Sequence, residues 1–107
     1  MTTVFFTTVT DADTGNEDTF INQTLAGAAR TVIDHLFEEW TIEVADRTAT
    51  QERIEAAFAN PSRKVHDSGM RSVSMNIDVP QYDTDGHMYP HTQLGITIEM
   101  VERTLHE

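Results

Sequence analysis

Two stretches late in the chain alternate apolar and polar residues, and they constrain the fold more than any other feature. In residues 71–79, Val73, Met75, Ile77 and Val79 alternate with Ser72, Ser74, Asn76 and Asp78. In residues 93–100, Leu94, Ile96, Ile98 and Met100 alternate with Gly95, Thr97 and Glu99. Successive side chains of a strand point to opposite faces, so both runs describe strands with one buried face. They are expected to pair as an antiparallel hairpin across residues 80–92. Residues 3–10, TVFFTTVT, are β-branched or aromatic almost throughout and suit a third strand.

A sheet with one apolar face needs a cover, and the middle of the chain supplies it. Between Phe20 and Trp40, Ile21, Leu25, Ala28, Ala29, Val32, Ile33, Leu36 and Phe37 recur at steps of three and four. That spacing predicts a long amphipathic helix over 20–40, with Asp18 or Thr19 as its N-cap after a turn at 11–18. Residues 41–46 fit either a short strand or a continuation of this helix. Thr48 with Gln51 matches a capping box, and Ile54, Ala57 and Phe58 give a shorter second helix that Asn60-Pro61 would stop. Residues 62–69 read as a connecting loop. The expected fold class is α+β: a small antiparallel sheet, built from the N-terminal strand and the C-terminal hairpin, with one long and one short helix packed on one face. A chain of 107 residues makes this a single domain, 1–107.

Charge narrows the function. The chain has 18 acidic residues against 7 Lys and Arg, a net of −11. Direct binding to nucleic acid or to an anionic membrane is disfavoured, because both require a positive patch. Residues 11–46 hold nine acids, Asp11, Asp13, Glu17, Asp18, Asp34, Glu38, Glu39, Glu43 and Asp46, against Arg30 alone, so −8 of the total lies there. A solubility surface or a salt-adapted proteome accounts for such acidity without any partner. A negative face for a basic partner accounts for it too, since complementary fields speed and orient association. Glu38 and Glu39, near the end of the expected long helix, oppose its dipole, which hints at a use outside helix stability.

The chain has no cysteine, which excludes disulfides, thiolate metal sites and cysteine nucleophiles. Its start lacks a basic leader and no apolar run reaches membrane-spanning length, so a cytoplasmic location is expected. The hairpin connection gathers Tyr82, Asp83, Asp85, His87, Met88, Tyr89 and His91. Its length suggests a secondary recognition loop. His87, His91 and Asp85 are weak metal candidates, because Pro90 breaks the helical spacing two histidine ligands would need. Residues 11–22 start like a calcium loop but carry Gly15, Asn16 and Asn22 at its fifth, sixth and twelfth positions, where an oxygen ligand, glycine and glutamate belong. GxSxG, GxGxxG, HExxH and phosphate-loop motifs are absent, and His35 in the long helix suits a boundary position better than a catalytic one.

These features favour a non-enzymatic acidic binding protein, with no cofactor, that docks on a basic surface of another protein. The binding residues would be Asp34, Glu38, Glu39, Glu43 and Asp46, joined by Asp11, Asp13, Glu17 and Asp18 if the preceding loop folds beside them. By analogy of size and charge only, phage-encoded DNA mimics and anti-CRISPR inhibitors act in this way on nucleic-acid-binding proteins. Two alternatives come from other classes: a metal-binding module or small metal-dependent enzyme using residues 80–92, and a structural or assembly subunit, with which a homo-oligomer is compatible.

Overall fold

The computed structural model describes residues 2–12, 14–42, 44, 46–63, 70–78 and 95–105. β1 (Thr2–Asp11) and β2 (Glu17–Asn22) lead into α1 (Leu25–Asp34), which continues as a π-helical turn (His35–Glu39). Then follow α2 (Arg47–Ala59), β3 (Ser62–Arg63), β4 (Arg71–Asp78) and β5 (Gly95–Leu105). The strands form one antiparallel sheet in the order β2-β1-β5-β4-β3. The expected hairpin is there, with Met75 opposite Ile98 and Val73 opposite Met100. The N-terminal strand pairs with β5, placing Thr7 opposite Met100 and Val9 opposite Ile98.

Period two then sets the core. Phe5, Val9, Val73, Met75, Ile77, Ile96, Ile98 and Met100 line one face of the sheet, and Ala28, Ala29, Val32, Ile33, Leu36, Phe37, Ile54 and Phe58 cover it from the helices. α1 packs over β1 and β2, while α2 packs over β4 and against α1. None of the described helices lies on the opposite sheet face, and none is long and apolar enough to cross a membrane.

Residues 17–22 correct the sequence reading. They form a strand, not the first turn of a helix, and pair with β1 from Thr10↔Glu17 to Phe5↔Asn22. Thr24, in place of Asp18 or Thr19, caps α1, its Oγ1 accepting the Gly27 N–H at 2.9 Å. Periodicity misled because Ile21 stands four residues before Leu25 and so extends the helical pattern by coincidence. The local composition Thr19-Phe20-Ile21 favours a strand. The turn that makes the hairpin is short: Gly15 takes φ +75°, its N–H donates to the Asp11 carbonyl at 2.8 Å, and the Asp11 N–H donates to the Asn16 carbonyl at 2.8 Å.

The expected capping box of Thr48 and Gln51 is replaced by Asp46, whose carboxylate accepts the Ala49 N–H at 3.0 Å. α2 stops at Asn60-Pro61 as expected, but its 13 residues make it longer than α1 alone, which has 10, and nearly as long as α1 with its five-residue π-turn. Ser62 and Arg63, read as loop, add a short edge strand against Ser72 and Arg71. The described residues of the 41–46 segment belong to neither a strand nor the preceding helix.

Candidate functional site: an acidic surface around a buried histidine

The first helix widens before it ends. The Trp40 N–H donates to the His35 carbonyl at 2.9 Å, a bond of π-helical span, and His35, Leu36 and Phe37 are all buried in succession. An α-helix buries residues three and four apart; the wider turn lets three neighbours reach the core. The chain leaves through Thr41 at φ +47°, a left-handed conformation that costs a β-branched residue on the order of 1 kcal/mol or more. Two contacts hold that cap: the Ile42 N–H donates to the Leu36 carbonyl at 3.0 Å, and Ile42 and Val44 pack against the core.

His35 is 6% exposed. Its ring stands edge-on to Phe20 at 4.8 Å and tilted against Trp40 at 4.6 Å. Asp18 of β2 lies 2.9 Å from Nε2, and Glu39 of the π-turn lies 3.3 Å from Nδ1. The Asp18 approach is within ion-pair range but makes no aligned hydrogen bond with the ring, so it is an electrostatic contact. One buried imidazole therefore joins an acid of the sheet edge to an acid of the helix end. The sequence placed His35 at a boundary; the clue to its burial was its i,i+4 spacing from Glu39 together with neighbours Leu36 and Phe37.

The other acids have local partners. Arg47 reaches Glu38 at 3.4 Å while its guanidinium lies 4.7 Å from the centre of the Phe37 ring, which ties the start of α2 to the π-turn. Arg30 reaches Asp34 at 3.3 Å one turn along α1. Thr10 donates to Glu17 at 3.3 Å across the β1–β2 hairpin. The side chains of Glu39 and Glu38 nonetheless stay largely in solvent, at 74% and 70%, and those of Asp18 and Asp34 are about half exposed. Exposed pairs of this kind contribute roughly 0–1 kcal/mol each, so they do not explain why the acids are there.

The structure thus gathers Asp18, Glu38, Glu39 and Asp46 around the π-turn and the start of α2. Asp34 lies one turn back along the helix, and Glu17 and Asp11 lie on the hairpin. Asp13 and Glu43 lie outside the described residues, as does the whole recognition loop with Tyr82, Asp83, Asp85, His87, Tyr89 and His91. Among the described residues no group of three or more His, Asp or Glu is arranged to hold a metal ion. A feature that sequence reasoning missed is a half-open apolar groove of about 520 Å³ between α1 and α2. Leu25, Ala29, Phe58 and Ala59 line it, and Arg30 and Glu55 stand at its rim. Three of its lining residues, Ala26, Ala29 and Ala59, are small.

No family model matches the chain, and no curated protein or solved structure matches it.

Proposed function

We propose that this is a non-enzymatic binding protein whose acidic surface, centred on Asp18, Glu38 and Glu39, docks on a basic surface of a nucleic-acid-binding protein and competes with nucleic acid for it. The observation that supports this most is the convergence on His35. Two carboxylates from separate elements face one buried ring while remaining open to solvent, so negative charge of the sheet edge and of the helix end is held in one place. Charge held in place before binding costs less to order on association than charge on mobile side chains. Asp34 extends the same surface and Asp46 borders it.

A capture experiment at low and high salt tests the reading. The wild-type protein should retain a basic partner at low salt, release it at high salt, and lose it to added duplex DNA or RNA. A double variant, Asp34→Lys with Glu38→Lys, should slow association at low salt by about tenfold. Retention unaffected by salt, by nucleic acid and by the charge reversal would count against the proposal.

A further inference from the structure

β2 is an edge strand, and its outer side has no partner strand among the described residues. Natural edges are blunted with charged side chains, proline, bulges or an overlying segment. Here the charges are Glu17 and Asp18, which repel an acidic strand but not a basic one. Residues 17–22 contain neither lysine nor proline, and their pairing with β1 runs without interruption across six consecutive residues.

The register shows which groups face outward. The Asp11 N–H bonds to the Asn16 carbonyl, so that pair is hydrogen-bonded, and in an antiparallel ladder such pairs alternate with non-bonded ones. The non-bonded residues of β2 are then Glu17, Thr19 and Ile21. Close side-chain contacts across two of these pairs agree, Thr8 with Thr19 at 3.2 Å and Thr10 with Glu17 at 3.3 Å. Glu17, Thr19 and Ile21 therefore point their main-chain N–H and carbonyl groups away from the sheet.

The two faces beside that edge differ. On the helix side stand Asp18 and, beyond His35, Glu39. On the open side Ile21 is 61% exposed and begins a cross-strand row, Ile21–Phe6–Val101. A strand added to this edge would present alternate residues to each face.

We infer that β2 takes up a strand of a partner protein by main-chain pairing, and that this strand alternates basic residues, facing Asp18 and Glu39, with apolar residues, facing Ile21. This rests on the acidic-docking reading and specifies how the partner is held. A second copy of the chain is a poorer occupant, because it is another chain of net charge −11.

The test uses the intact protein and a short labelled peptide of alternating lysine and valine, read by fluorescence anisotropy at low salt. Two twins carry N-methyl groups on the lysine amides or on the valine amides, which blocks one edge of the peptide without changing its charge. The parent peptide should bind, one twin should bind about tenfold more weakly or worse, and the other should bind like the parent. Thr19→Pro removes one outward donor, is tolerable on an edge, and should weaken the parent peptide alike. Equal binding of all three peptides, with loss on the Asp34→Lys, Glu38→Lys variant, would overturn edge pairing and leave acidic docking standing. No binding of any peptide would overturn edge pairing, and acidic docking falls with it only if the charge reversal also leaves partner capture unchanged.

Discussion

Thr7 and His35 are the two polar residues buried among the described ones, and they are treated differently by their surroundings. His35 has a carboxylate within 3.3 Å of each nitrogen, although its Nε2 makes no aligned hydrogen bond. Thr7 is fully buried in the sheet centre, opposite Phe20 and Met100, and its Oγ1 has no hydrogen-bond partner among the described residues. A buried hydroxyl without a partner loses its hydration for nothing in return, while valine has the same shape without the hydroxyl. Thr7→Val should therefore raise the free energy of unfolding by about 1 kcal/mol, measured by urea denaturation. A loss of stability would show that Thr7 has a partner in solution. Period two puts Thr7 on the face of Phe5 and Val9, apart from Thr8 and Thr10, but it does not say whether a buried hydroxyl meets a polar partner.

At the scale of elements, the β4–β5 hairpin closes on a tight contact. Gly95 begins β5 opposite Asp78, and its carbonyl accepts the Ala12 N–H at 3.0 Å, which brings the β1–β2 turn to the same point. A Cβ at Gly95 would fall against the Ile77 carbonyl oxygen, a backbone atom that cannot rotate away. Gly95→Ala should cost roughly 1–3 kcal/mol, and amide exchange should quicken first at Ile77 and Ile96. Unchanged stability would mean that the strand end shifts freely. The hairpin itself was legible because Val73, Met75, Ile77, Ile96, Ile98 and Met100 alternate without a break. β2 was not legible, because Ile21 and Leu25 satisfy a helical step as well as a strand–turn–helix path, and the choice between them is made by pairing with β1.

For the whole molecule, the balance of charge is the dominant electrostatic fact. Three arginine–carboxylate pairs join described residues: Arg30 with Asp34, Arg47 with Glu38, and Arg71 with Glu102 at 2.8 Å. Salt weakens the two exposed pairs, each worth about 1 kcal/mol or less, and acts less on the largely buried Arg71–Glu102 pair. It also screens the mutual repulsion within a chain of net charge −11. Repulsion acts among many like charges while attraction is confined to a few pairs, so the second effect should win. Adding salt should stabilise the fold by about 1 kcal/mol, seen as a melting point roughly 4–8 °C higher. A melting point that falls with salt would show that ion pairing outweighs repulsion.

The sequence by itself determined the apolar face of the sheet, the helices that cover it and the excess of negative charge, because side-chain period and composition depend only on local backbone geometry and residue type. It did not determine that residues 17–22 are an edge strand, that the first helix ends in a π-turn, or that His35 lies between Asp18 and Glu39. The edge strand follows from its pairing with β1, and the setting of His35 from its contact with Asp18, 17 residues away. Such contacts are selected by packing, and packing decides among local conformations that the sequence leaves close in energy.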